Sequence, residues 1–439
     1  MAASVPFVVQ AQVSFEGTPS KVVTVKPEAS TGLDAVYVLE STGGVTMAYR
    51  ASSATATVQW QRFSKLGGAY AEDVSPSRDG DVLTLTLGAG DMGYIIEDAG
   101  RRTCLWVTDY AAHEFTAESL TPSAEQDCDR IALDFRGDGG EILYYSINGR
   151  RCVLSRDLTL DYTTLSFDAD AFAYTTTSTS ETLDAATAIV SAPAPLCNTT
   201  FRLSGDRFQR EWRREVSIES PLVTATAIAV ETTATQAERD NDNEIREEGG
   251  NLGGSGPAEI TFAAAVSDAA IFTEWQISRS ADFSTLENSY NQTTFDYTFS
   301  DQGTTYVRFT ANNADGTCPF ESETYEVFIG ESKLEIPNAF SPGTSPGVND
   351  EWKVSYKSIV SYECHIFNRW GKQLFSSTNP AEGWDGKVGN KYVPAGVYFY
   401  VINARGSDGV EYKRAGDINV IGYSTGSGTG TGDGGETTE

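Results

Sequence analysis

Asp240, Asp242 and Glu244 lie at alternate positions with Asn241 and Asn243 between them, the spacing with which a calcium loop offers its carboxylates. The run lacks the following glycine and the distal bidentate glutamate of such loops, although Glu247 and Glu248 are close, and a solvated acidic loop over 240–248 is the simpler reading. Gly422-Tyr423-Ser424-Thr425-Gly426 has the spacing of a nucleophile elbow, which needs a strand, a sharp turn, a helix and a later histidine. No histidine follows it, so the spacing alone carries no catalysis. Arg136-Gly137-Asp138, a tripeptide displayed by many integrin ligands, runs into Gly139-Gly140 between two strand-like runs and reads as a hairpin turn. Asp168 with Asp170 pairs carboxylates, but nothing in the sequence sets them across a cleft. Tyr144, Tyr145, Tyr290 and Tyr297 could stack on sugar rings, although core or cross-strand packing is the commoner use of strand tyrosines.

The chain has two histidines, His113 and His365, and six cysteines with no CxxC, so zinc spacing is lacking. It has no glycine-rich loop opening a helix and no Walker pattern. The expectation is a non-enzymatic protein with no catalytic, cofactor-binding or metal-binding residues. The cysteines suit structural pairing in an oxidising compartment, with Cys197–Cys318 and one pair drawn from Cys104, Cys128 and Cys152 as the preferred bonds. Cys364 reads as a small buried hydrophobe.

The formal net charge is -29, which argues against nucleic acid or an anionic membrane surface as partner and suits solubility outside the cell. At 439 residues with 40% hydrophobic content the chain can build several cores. No apolar run reaches the length of a membrane span. Residues 1–9 hold a short apolar stretch without a positive flank and are expected to be the remnant of a signal peptide.

Behind these side chains the periodicity is that of strands almost throughout, so the fold class is all-β, as tandem immunoglobulin-like sandwiches. Residues 10–110 form the first, with Ala35-Val36-Tyr37-Val38-Leu39 and Leu83-Thr84-Leu85-Thr86-Leu87 as strands and Ala56, Val58 and Trp60 on one inward face. Residues 111–195 form a second β-rich unit with a hairpin at Asn148-Gly149, closed by the boundary-like run Ala192-Pro193-Ala194-Pro195. Residues 196–330 form a third sandwich around Trp275, similar to the PKD group of immunoglobulin-like domains, with Tyr306 near a corner position and a mobile acidic loop over 234–256. The one short helix candidate is 123–129. Residues 424–439 are low-complexity and expected to be disordered.

The last sandwich, 332–423, carries the most specific pattern. Tyr362, Cys364 and Ile366 alternate with Glu363 and His365, Asn368-Arg369-Trp370-Gly371 makes a turn, and Gly396-Val397-Tyr398-Phe399-Tyr400-Val401-Ile402 is a β-prone run. Ile336-Pro337-Asn338-Ala339-Phe340-Ser341-Pro342, Val348-Asn349-Asp350, Phe367-Asn368-Arg369-Trp370-Gly371, Trp384-Asp385-Gly386 and Pro394-Ala395-Gly396-Val397-Tyr398 follow in order. In these residues the chain resembles the gliding-motility-associated C-terminal domain, the type B sorting domain of the type IX secretion system of Bacteroidetes. The family's acidic Asn-Gly-Asp-Gly turn is replaced here by Gly343-Thr344-Ser345-Pro346-Gly347, which puts any cation held there in doubt.

The resemblance implies a C-terminal β-sandwich sorting domain defined by Asn338, Phe340, Pro342, Asn368, Arg369, Trp370, Gly371, Trp384, Asp385 and Gly386. It also implies recognition by the outer-membrane secretion machinery and a place outside the cell, at the external face of the outer membrane or in the medium. The preceding domains are then adhesin-like, binding or structural cargo with a surface glycan or another protein as partner. The alternative is a secreted carbohydrate-binding or carbohydrate-active protein.

Overall fold

The computed structural model describes residues 13–18, 21–124, 127–246, 252–343 and 347–422. The segment 1–9, the tail 424–439, Glu247, Glu248 and the elbow-like residues from Tyr423 to Gly426 lie outside the described residues. The chain divides into two compact units, the boundary falling near residue 228.

In the first unit, one sheet has the strand order Val13–Glu16, Thr46–Arg50, Val82–Thr86, Ser77–Asp79. A second has the order Val23–Val25, Ala35–Leu39, Arg101–Asp109, Met92–Asp98, Val58–Phe63, Glu72–Asp73. Met47, Tyr49 and Leu83 from one meet Trp60, Ile96, Leu105 and Val107 from the other, which makes the expected sandwich. Leu105-Trp106-Val107 is apolar without alternation because the larger sheet is covered on both faces. On its outer face Val36, Val38, Phe63, Ile95 and Trp106 pack with Ile142, Tyr144, Leu154 and Phe208. The hairpin of Ile142–Tyr145 with Arg151–Leu154, turned at Gly149 (φ +78°), thus belongs to this core although its sequence position placed it in the next domain.

The second sandwich has Thr116–Pro122, Arg130–Asp138 and Ile189–Pro193 in one sheet. The other sheet runs in the order Ala173–Leu183, Leu158–Asp168, Arg202–Gly205, Val216–Glu219. Phe115, Leu133, Leu158, Leu160, Phe201 and Leu203 fill the space between. The sandwich therefore continues to Glu219, and the Ala/Pro run is no boundary: Pro193 ends an edge strand opposite Arg130, where a missing N–H costs nothing. Residues 123–129 contain no helix among those described; Asp127 Oδ1 accepts from the Asp129 and Arg130 amides in a turn. A helix that the sequence reading missed spans Arg207–Glu211, capped by Asp206, whose Oδ1 accepts from the Phe208 and Gln209 amides at 3.0 and 3.1 Å.

In the second unit, Val230–Gln236, Ala258–Val266 and Thr294–Phe299 form one sheet of a third sandwich. Leu252–Gly254, Tyr325–Ile329, Gly303–Asn312, Phe272–Ser278 and Asn288–Tyr290 form the other, with Phe320–Glu321 paired alongside. Trp275 is fully buried among Phe262, Phe295, Phe309 and Tyr325. Tyr306 is not a corner tyrosine: it alternates with buried Thr305, Val307 and Phe309 and so faces the other side of its strand.

The acidic stretch does not behave as a free loop where it is described. Strand pairing extends to Gln236, and residues 241–245 are held by the C-terminal sandwich. The Ile245 amide donates to Tyr356 O at 2.7 Å, the Tyr356 amide to Asn243 O at 3.0 Å, and Asn243 Nδ2 to the carbonyls of Val354 and Pro380. Each of the three carboxylates takes a different cationic side chain: Asp242 meets Lys353 at 2.8 Å, Glu244 meets Arg239 at 2.7 Å and Asp240 meets Arg246 at 3.9 Å. Asparagines between the acids, which read as solvent-facing, supply the docking hydrogen bonds.

The Lys353 hydrogen bond holds Asp242 below its usual 3.8, and the same bond pushes Lys353 above 10.5. A depressed carboxylate contributes stability above its unfolded value that is lost as pH falls through the folded one. A raised lysine contributes stability that is lost as pH rises through its folded value. The docked segment is expected to hold between about pH 4 and about pH 10 and to loosen on either side. Asp242 is exposed, so the effect is about 0.5 kcal/mol at most, read as faster hydrogen exchange at the Ile245 amide.

Candidate functional site: the C-terminal sandwich

The last sandwich is built on a five-stranded sheet ordered Ala339–Phe340, Glu411–Val420, Gly396–Gly406, Ile359–Phe367, Gln373–Ser377. Alternation along Ile359–Phe367 sends Tyr362, Cys364 and Ile366 inward, as their spacing predicts. They join Phe340, Trp352, Val354, Tyr356, Trp384, Tyr398, Ile402 and Ile418 in one core. Burial pushes the Cys364 thiol up to about 11, so it is an inert apolar side chain at neutral pH.

Eight of the ten motif residues shape this domain. Phe340 pairs in parallel with Val420, and its ring lies 5.5 Å from that of Trp384. Trp384 and Trp352 exchange two backbone hydrogen bonds of 2.9 Å, and the Trp352 indole donates to Pro337 O at 2.7 Å. Gly386 needs its left-handed φ of +74°, and a Cβ there would approach buried Pro342 to 2.9 Å. Asp385 Oδ1 accepts from the Lys387 amide, which closes that turn. Asn338 O accepts from the Asn419 amide at 2.9 Å and so registers the edge strand. Asn368 Oδ1 accepts from the amides of Trp370 and Lys372, each at 3.0 Å, and Gly371 at φ +81° completes the hairpin turn.

Arg369 and Trp370 do none of this. Trp370 is 82% exposed at the tip of the turn, and the Arg369 guanidinium lies 5.5 Å from its ring centroid. The turn therefore presents a cation beside a bare indole, a pair suited to binding through stacking and charge. Asp350 accepts from the Gly343 and Gly347 amides; Thr344, Ser345 and Pro346 lie outside the described residues.

The remaining sequence candidates stay apart. Arg136-Gly137-Asp138 lies within a paired strand rather than a hairpin turn, Gly137 opposite Ala117 and Asp138 opposite Thr116. Asp168 Oδ1 accepts from the Asp170 and Ala171 amides and so shapes a hairpin tip. Tyr144 is buried, and Tyr290 and Tyr297 pack on Phe295 and Phe299. Cys104, Cys152, Cys197 and Cys364 carry free thiols, which overturns Cys197–Cys318 and any pair among Cys104, Cys128 and Cys152. Burial keeps Cys104 and Cys197 protonated and apolar, a role their spacing did not reveal. A cleft of about 400 Å³ between Val230–Thr232 and residues 320–325 was also not legible. Its carboxylates Glu231, Glu321 and Glu323 are exposed, Glu321 is paired with Arg308 at 3.2 Å, and the Tyr325 ring packs inward against Trp275.

Solved structures similar to this chain include a tetra-tandem repeat from the extending region of a large adhesion protein, with 12% identity, 87% of this chain and 96% of that one covered, and a TM-score of 0.22. Three N-terminal domains of the highly immunogenic outer capsid protein of bacteriophage RB49 are similar at 11% identity, covering 70% and 100%, with a TM-score of 0.23. No curated protein matches the chain. Residues 120–220, the second sandwich, match the fibronectin type III domain. Residues 334–420 match the CHU_C type IX secretion signal domain, and the chain is thus an all-β protein that carries a type IX secretion signal after a fibronectin type III domain.

Proposed function

We propose that this chain is a non-enzymatic, adhesin-like binding or structural protein, displayed at the external face of the outer membrane or released from it. Its C-terminal sandwich is the address and the earlier sandwiches are the cargo, whose partner is a surface glycan or another protein. The match of residues 334–420 to the secretion signal domain carries the reading, because that signal implies export and engagement with the secretion machinery. Charge supports the division: residues 334–420 hold nine basic and nine acidic side chains, whereas the whole chain carries -29. A neutral module can approach a machine at an anionic membrane, while acidic cargo stays dispersed outside.

Within that module Arg369 and Trp370 are the motif residues free to be read by a partner. Trp370→Ala is expected to leave the unfolding free energy within about 0.5 kcal/mol of the parent, because the ring is exposed and touched only by the solvent-side Arg369 guanidinium, and to lower export severalfold. Quantifying the protein in cells and medium alongside a melt of the purified variant checks both halves. Export at the parent level would remove the turn from the recognition surface. Protease added to intact Bacteroidetes cells tests display itself: cleavage of the sandwiches without lysis is expected, and full protection with none in the medium would refute it.

A further inference from the structure

The longest strand at the edge of any described sheet is Ala173–Leu183, with 11 residues. It pairs along its whole length with Leu158–Asp168, and among the described residues no strand pairs with its other side. Natural edge strands are usually short or interrupted by lysine, proline or a bulge, which prevents them from templating another strand. This one has none of those guards. Its register runs unbroken from Ala173 to Leu183, its sequence is AYTTTSTSETL, and its one charged residue is Glu181. The inner strand is paired to Arg202–Gly205 only over Thr159–Asp161, so the distal part of the hairpin extends beyond the third strand. Phe167, Phe172 and Tyr174 close its tip through ring contacts of 5.6 Å. A two-stranded arm of this kind gains from a further strand.

We infer that strand 173–183 is a self-association surface, pairing antiparallel with the same strand of a second copy about a two-fold axis at Ser178. The strand's own sequence selects this occupant. In that register Thr177 faces Thr179 of the other copy, Thr176 faces Ser180, and Thr175 faces Glu181, so hydroxyls meet hydroxyls and the sole carboxylate meets a threonine. The whole chain carries -29, but this strand holds a single charge in 11 residues, so two copies meet along it with little like-charge repulsion across the pairing. One shared strand buries less than a standard interface, so the pairing is expected to be weak, on the order of micromolar, and to tighten with salt as repulsion is screened.

The test is sedimentation of the full chain across concentration and salt, using two double variants whose melts are compared with the parent. T177K/T179K sets lysine against lysine twice in the two-fold register and is expected to weaken the dimer about tenfold. T177K/T179E sets lysine against glutamate twice and is expected to restore parent affinity or better, which a merely damaged strand could not do. A parent that stays monomeric, or a T177K/T179E protein as weak as T177K/T179K, would overturn the inference.

Discussion

Trp384→Ala is expected to destabilise the C-terminal sandwich by about 3–5 kcal/mol. The side chain is 1% exposed, its ring lies 5.5 Å from both Phe340 and Tyr398, and its indole N–H donates to Lys387 O at 3.2 Å. Alanine keeps the two backbone bonds to Trp352 but opens a cavity between the short edge strand and the long central one, which cannot collapse without pulling Phe340 from Val420. A domain of this size has roughly 5–15 kcal/mol in total, so the variant should unfold at much lower denaturant and lose export with its fold. Chemical denaturation followed by hydrogen exchange at the Val420 amide checks it. A loss below about 1 kcal/mol would mean that the two tryptophans do not organise this core.

Asp206→Ala is expected to cost the first unit about 3–5 kcal/mol, the penalty for leaving a buried charge without its partner. Arg156 and Asp206 are 1% and 0% exposed, with Nη1 and Oδ2 2.7 Å apart. The rest of the guanidinium is satisfied by the Gly140 and His113 carbonyls, and the carboxylate also accepts from the Tyr110 hydroxyl at 2.9 Å. Losing Asp206 therefore leaves the guanidinium without its counter-charge, removes the acceptor of the Tyr110 O–H and uncaps the helix Arg207–Glu211 together. R156M/D206N removes both charges and keeps a cap, so it should recover most of the loss. Thermal melts of the three proteins decide this, and equal stability of the single and double variants would contradict it.

The strands were legible wherever one face is buried, since alternation then records the core directly: Ala35–Leu39 and the run from Tyr362 to Phe367 are strands as read, and Trp60 and Trp275 are buried in the first and third sandwiches. Boundaries were less legible, because Pro193 signals a tolerant strand end as readily as a linker, and Ile142–Tyr145 carries no mark of which sheet it covers. Nothing local in the sequence joins Arg156 to Asp206, whose pairing spans 50 residues, and the docking of 241–245 depends on asparagines that look solvated. Within the motif of the C-terminal sandwich, sequence could not tell the turn builders from the exposed pair. Asn368 and Trp370 are neighbours with opposite roles, one spent on backbone amides and the other on solvent.

The most direct measurement is removal of residues 332–422 from the chain in a host bearing the secretion system, followed by quantification of the remaining sandwiches inside and outside the cell. Retention of the truncated protein inside, with the intact chain outside, is the predicted result. Truncated protein outside the cell at the intact level would contradict it.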